Sequence, residues 1–320
     1  MRTATLGPCG PVGRIGLGCM GMSAGYDPGS RDDENSVRII HRAIELGVTL
    51  IDTADVYGPF VNEELVGRAI RGHREEIVLA TKAGLVYPGD GPYDEVAPER
   101  NGRPEHIRQA IDASLRRLGT DHLDLWQLHR IDPAVPVDET WGAMAEAVID
   151  GKVRALGLCE VSVADLHRAQ QVHPVAAVQS ELSLWTREPL AEVLPYCAVN
   201  GITFIAFCPL GRGFLTGRFR SAADLNTGDA RRGLPRFQEE AIRANQAIVE
   251  RIAEIGAQYG ATPGQVALAW LLALGPNVVP IPGTTADTHL KENVAADAIA
   301  LDADALAALD ALPQPTGSRY

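Results

Sequence analysis

Short apolar runs alternate along the 320 residues with longer segments whose apolar positions recur every three or four residues. Eight of the short runs read as strands: "RIGLG" (14–18), "TLIDTAD" (49–55), "IVLATKAG" (77–84), "LDLWQLH" (123–129), "VRALGLC" (153–159), "AAVQSEL" (176–182), "TFIAFCPL" (203–210) and "VVPIP" (278–282). The segments between them carry helix punctuation. From about Asp33 to Leu46, Val37, Ile40 and Ile44 face inward and Gly47 ends the helix. Further on, Pro104 opens a first turn, Ile107, Ile111, Leu115 and Leu118 form one stripe, and Gly119 stands where a left-handed C-terminal residue belongs. Strand–helix units in series predict parallel strands joined by right-handed crossovers, and eight is the number at which such a sheet closes. The expected fold is therefore α/β, a (β/α)8 TIM barrel, with an open doubly wound sheet as the alternative. Residues 3–14 read as a hairpin that plugs the bottom of the barrel, and 211–241 as a long polar loop after the seventh strand. No linker, low-complexity tract or longer repeat interrupts the pattern, so residues 1–320 are expected to form one domain.

The first strand raises a competing reading. Gly16-x-Gly18-x-x-Gly21 has the spacing of the dinucleotide-binding fingerprint, whose last glycine must open a helix. Here the next residues are polar, include Pro28 and show no helical period until Asp33. The acidic residues near the required distance, Asp32 and Glu34, fall at the start of that helix instead of at the end of a second strand. The context of a Rossmann fold is missing.

Composition narrows the partners. A net charge of −12 argues against a nucleic-acid or anionic-membrane surface. Five scattered cysteines (Cys9, Cys19, Cys159, Cys197 and Cys208) without a CxxC pair suit free thiols in a reducing compartment. The N-terminus has no signal-like core and no apolar run reaches membrane-spanning length, so a soluble cytoplasmic protein is expected. The eight histidines show no metal-ligand spacing, and no metal is expected.

In barrels of this kind chemistry sits at the C-terminal ends of the strands. Those ends present Asp52 and Tyr57 after strand two, Lys82 on strand three and His129 on strand four. Taken singly, each has an ordinary reading: a buried ion pair, a loop aromatic, a core histidine. On three adjacent strand ends they point to a shared site. A lysine anchored by Asp52 would favour the phenolate of Tyr57 and lower its pKa from about 10. Such a phenol donates a proton to a developing alkoxide, with His129 holding the same oxygen. No side chain supplies hydride, so a nicotinamide cofactor is implied.

The stretches "GVTLIDTADVYG", "NEELVGRAI", "LATKAG", "LDLWQLHR", "GKVRALGL" and "IPGTTADTHLKENV", in this order, resemble the aldo-keto reductase superfamily from about residue 5 to about residue 300. "GLGCMGMS" and "PLGRGFLTG" resemble its auxin-induced, perakine-reductase-like and channel-β-subunit branches. The resemblance implies a barrel that reduces aldehydes and ketones with NADPH, NADH being the lesser expectation, and a catalytic tetrad of Asp52, Tyr57, Lys82 and His129. A nicotinamide-binding regulatory subunit with little turnover is the alternative; His129, usually lacking in the channel subunits, favours the enzyme.

Further positions match the family's cofactor contacts. Cys19 and Met20 match residues near the nicotinamide ribose, Gln179 the carboxamide ligand, and Phe207 the stacking aromatic, which read alone is equally a core phenylalanine. Cys208, Pro209, Leu210, Gly211 and Arg212 match the pyrophosphate turn; Arg218 matches a basic position in the same loop, or is a solvated loop arginine. Gly283, Thr285, His289, Glu292 and Asn293 match the adenosine end; the last three suit an exposed helix face equally well. Two departures stand out. Cys159-Glu160 replaces the family's Ser-Asn, so Glu160 would accept from the carboxamide NH2, and Gly283 and His289 stand where many members carry a lysine and an arginine for the 2′-phosphate. The substrate, a small carbonyl compound, is expected against Met22, Tyr26, Phe60, Leu85, Tyr87, Trp126 and Trp185.

Overall fold

The structure, a computed structural model, describes residues 1–23, 26, 29, 31–88 and 97–320; Pro28 lies outside them. An antiparallel hairpin, β1 (Thr3–Thr5) and β2 (Pro11–Gly13), comes first. Then follow β3 (Leu17–Gly18), α1 (Asp33–Glu45), β4 (Leu50–Asp52), α2 (Val61–Ala69) and β5 (Val78–Ala83). A second small hairpin, β6 (Leu85–Val86) and β7 (Glu99–Arg100), precedes α3 (Pro104–Leu118), β8 (Leu123–Leu128) and α4 (Val137–Ile149). The chain continues through β9 (Val153–Cys159), α5 (Val163–Gln170), β10 (Ala177–Glu181), α6 (Val193–Val199) and β11 (Thr203–Phe207). It ends with α7 (Glu239–Gln258), α8 (Pro263–Ala273), β12 (Val278–Pro280), α9 (Asp287–Ala295) and α10 (Ala303–Asp310).

Eight parallel strands form one sheet in the order β12-β11-β10-β9-β8-β5-β4-β3. The Gly16 N–H donates to the Pro280 carbonyl at 3.0 Å, which joins the first strand to the last and closes the curl into a barrel. All eight segments expected to be strands supply one each. Side chains alternate across the sheet. Leu50, Val78, Ala80, Leu125, Ala155, Ala177, Ile205 and Val279 point to the axis, and Ala4, Leu6 and Val12 of the first hairpin cover them as a plug. Residues of the other parity, among them Ile51, Leu79, Trp126, Leu156, Val178 and Phe204, pack against the helices. The helix termini follow the local chemistry: Gly119 caps α3 at φ 65° and ψ 35°, and Thr262 with Gln265 forms a capping box on α8.

The glycines of the first strand belong to this closure. A Cβ on Gly18 would stand 2.9 Å from the Ile281 carbonyl oxygen, and one on Gly283 2.8 Å from the Gly18 oxygen. The two backbones therefore cross where only hydrogen fits. We expect Gly18→Ala to destabilise the fold by about 1–3 kcal/mol through overpacking against main chain, read from chemical denaturation. A variant as stable as the parent would show that the seam is not tight.

The long segment after β11 is knit together by short 3-10 turns over 211–216, 222–224, 230–233 and 235–237. Arg231 forks onto Asp229 at 2.6 and 2.9 Å, and Trp185, Phe214, Phe219 and Phe237 form an aromatic cluster beneath it. This loop walls one side of the site.

Candidate active site

At the C-terminal mouth of the barrel lies an elongated cleft of about 840 Å3, running from Tyr57 and His129 past Phe207 and Arg212 to the start of α9. Its inner end is built on the alternation of the strands. Asp52 and Lys82 are the last axis-facing residues of β4 and β5, and Gln127 holds the matching place on β8. Lys82 is 1% exposed, yet every donor of its ammonium is used: Asp52 Oδ1 accepts at 2.6 Å, the Thr53 carbonyl at 2.8 Å and the Tyr57 hydroxyl at 3.4 Å. Gln179 and Gln127 donate to the other Asp52 oxygen at 2.8 and 3.2 Å. A buried ion pair is tolerated only when satisfied in this way.

Tyr57 reaches the mouth because the chain turns sharply after β4. Gly58, at φ 69°, takes the left-handed conformation, and a Cβ there would stand 2.9 Å from the Ser23 oxygen. Asn62 pins the same turn, donating to the Cys19 carbonyl at 2.9 Å and accepting from the Thr53 hydroxyl at 2.6 Å. His129, just beyond β8, meets the Tyr57 ring edge-on with ring centroids 5.8 Å apart.

The electrostatics modify one expectation. Burial raises the Tyr57 pKa to about 12 even though Lys82 pulls it down, so desolvation outweighs the cation and the phenol stays protonated. Burial, with repulsion from Lys82 and Arg130, holds His129 well below the ordinary histidine value. A neutral imidazole and a protonated phenol therefore face the cleft together.

The outer part of the cleft suits a long anionic ligand. Arg212 and Arg218 line it, and α9 begins there with no side-chain cap on its first N–H groups. The volume falls within the range of cofactor sites. Among the described residues no group of His, Cys, Asp and Glu is arranged to hold a metal ion, and no helix is long and apolar enough to cross a membrane.

The model of the aldo/keto reductase family matches residues 14–314. The chain belongs to the aldo/keto reductase family. It is an NAD(P)H-dependent oxidoreductase. Across 314 residues it is 40% identical to a probable aldo-keto reductase 1 of Glycine max, covering 97% of this chain and 88% of that one. The glycerol dehydrogenase AKR11B4 of Gluconobacter oxydans superposes with a TM-score of 0.87 at 31% identity, over 96% of this chain and 94% of that one. An aldo-keto reductase of Klebsiella pneumoniae in complex with NADPH superposes with a TM-score of 0.77 at 28% identity, over 98% and 96% of the two chains.

In this aldo-keto reductase, several residues singled out from the sequence line the cleft. Asp52, Tyr57, His129, Met20, Gln179, Phe207, Cys208, Pro209, Leu210, Arg212 and Arg218 do so toward the centre, with Met22 and Tyr26 over them. Gly283, Thr285, His289, Glu292 and Asn293 do so at the far end. Others lie elsewhere. Cys19 is buried in the strand–helix core, and Gly211, at φ 56°, turns against the Trp185 ring. Cys159 is buried close to Lys82 and Asp52, and Glu160, at φ 53°, is tied to Arg319; neither is among the described residues that line the cleft. Trp126 faces the helices because it precedes axis-facing Gln127 by one residue. Trp185 stacks on Phe214 with centroids 4.3 Å apart, and Phe60 is 48% exposed beneath the Arg117 guanidinium. Leu85 and Tyr87 sit at the β6–β7 hairpin and are not among the described residues that line the cleft.

Sequence reasoning missed Gln127, Asn62, Arg130 and the tail residues Arg319 and Tyr320. Gln127 had a signal, since a polar residue on the axis face of a covered strand needs a partner. The tail residues had none.

Proposed function

We propose that this enzyme reduces a small aldehyde or ketone to an alcohol with NADPH, and that Tyr57 is the general acid. One observation carries the reading: inside the cleft, the Tyr57 hydroxyl shares with the Asp52 carboxylate a single buried ammonium. The bound nicotinamide cofactor supplies hydride. Tyr57, protonated at neutral pH, hands its proton to the oxygen that gains charge as the carbonyl is reduced. Lys82 stabilises the phenolate left behind, and Asp52, held by Gln127 and Gln179, fixes Lys82 beneath it. His129, neutral and at the rim, orients the carbonyl oxygen toward the phenol. Gln179 holds the carboxamide, Phe207 stacks on the ring, and Arg212, Arg218 and the uncapped start of α9 take the phosphates. Met22 and Tyr26 wall the substrate space. NADPH is preferred to NADH because an NADPH complex is known for the Klebsiella neighbour.

The test is direct: NADPH is mixed with an activated aromatic aldehyde and cofactor absorbance is followed. Loss of absorbance, faster with NADPH than with NADH, is expected; cofactor binding without turnover across a broad carbonyl panel would sink the reading. The pKa shifts add a prediction. Reduction needs the phenol protonated, and its pKa is raised to about 12. kcat/KM for reduction should therefore be level from about pH 6 to about pH 9 and fall only in strong alkali. An acid limb near the ordinary histidine value would mean that His129 titrates in the free enzyme, against its burial.

A further inference from the structure

At the mouth, the ends of β9 and β10 bring two carboxylates together. The Glu181 N–H donates to Glu160 Oε1 at 2.8 Å, so the two acids are locked side by side next to Phe207. The segment after α10 supplies their counter-charge. Thr316 exchanges hydrogen bonds with Asn245 of α7 at 2.8 and 3.0 Å, and Arg236 donates to the Gly317 carbonyl at 3.2 Å. Held this way, Arg319 places one nitrogen against Glu160 Oε2 and its Nε 2.9 Å from Glu181 Oε2. Its guanidinium lies 5.8 Å from the centre of the Phe207 ring. Arg236 reaches Glu181 only through the Thr186 hydroxyl, which donates to Glu181 at 2.9 Å.

Arg212 meets the same Glu181 oxygen through a single long hydrogen bond, donating to it at 3.4 Å while it lines the cleft. We infer that Arg319 is a positioning residue for cofactor binding: by occupying Glu160 and Glu181 it holds the Arg212–Glu181 contact to one long hydrogen bond and leaves the rest of that guanidinium available to the cofactor phosphates. The inference rests on the nicotinamide-binding reading above. Without Arg319, Arg212 closes into a forked pair with Glu181, the stronger geometry for a guanidinium and a carboxylate.

The test measures NADPH affinity of the full chain by quenching of intrinsic tryptophan fluorescence, with thermal unfolding alongside. Arg319→Met should weaken binding about tenfold at an unchanged unfolding midpoint, Arg319→Lys should stay within about threefold of the parent, and Glu181→Gln should restore most of the loss in the Arg319→Met background. In an Arg212→Met background, which itself binds weakly, adding Arg319→Met should change affinity by less than about twofold, because the two act in series. If Arg319→Met does not fold, Glu181→Gln alone carries the test: it releases Arg212, and tighter NADPH binding is expected. Parent-like binding by Arg319→Met, a loss that Glu181→Gln does not relieve, or full additivity with Arg212→Met would overturn the inference while leaving the reductase reading intact. A parent protein that binds no NADPH would overturn that reading, and this inference with it.

Discussion

Tyr57→Phe is expected to lower kcat for carbonyl reduction about a thousandfold while leaving NADPH affinity within about twofold of the parent. The substitution removes one oxygen and leaves the ring, so the edge contact with His129 and the turn pinned by Asn62 persist. What is lost is the hydroxyl that, among the described residues, meets the Lys82 ammonium, since the other two acceptors are the Asp52 carboxylate and the Thr53 carbonyl. A proton must then come from water at the rim. The expected signature is a fall in kcat and kcat/KM together, because the interaction operates in the transition state. Parent-rate reduction by Tyr57→Phe would remove the phenol from the mechanism.

The second large effect falls on stability as well as rate. Lys82→Met leaves the Asp52 carboxylate buried with amide donors alone, an uncompensated charge that costs about 3–5 kcal/mol. Chemical denaturation should show that loss, and turnover should fall by at least about a hundredfold because the Tyr57 phenolate loses its stabilising cation. Adding Asp52→Asn should return much of the stability, since neither charge then remains to be paired, but none of the turnover. Equal recovery of both would mean that the pair serves the fold alone. A Lys82→Met protein as stable as the parent would show that the pair is solvated.

These residues were legible because a covered barrel strand is apolar nearly throughout, so a charge at its end stands out. Asp52, Lys82 and His129 are such interruptions, and the structure brings them to one mouth with Tyr57. The glycine spacing of the first strand was misleading as a cofactor fingerprint and informative as a crossing of two backbones. Trp126 shows how strand parity decides: it lies next to an axis-facing residue and so belongs to the helix layer. Trp185, Phe60 and Glu160 depend on loop geometry, two of them on backbone at positive φ, which local composition does not encode. The sign of the Tyr57 shift required burial to be weighed against a cation, and burial is a property of the folded chain. Arg319 meets a carboxylate 159 positions earlier, a contact with no local pattern behind it.

Hydride arrival and proton donation by Tyr57 are expected to occur in one event over the Lys82–Asp52 pair. Single-turnover reduction of an activated aldehyde, with NADPH deuterated at the transferring position and with heavy water as solvent, tests it most directly. Both substitutions are predicted to slow the same step in the parent enzyme, and the solvent effect to change when Tyr57 is replaced by phenylalanine. Turnover indifferent to deuterium on the cofactor, or a solvent effect identical in Tyr57→Phe, would mean that Tyr57 does not donate its proton as hydride arrives.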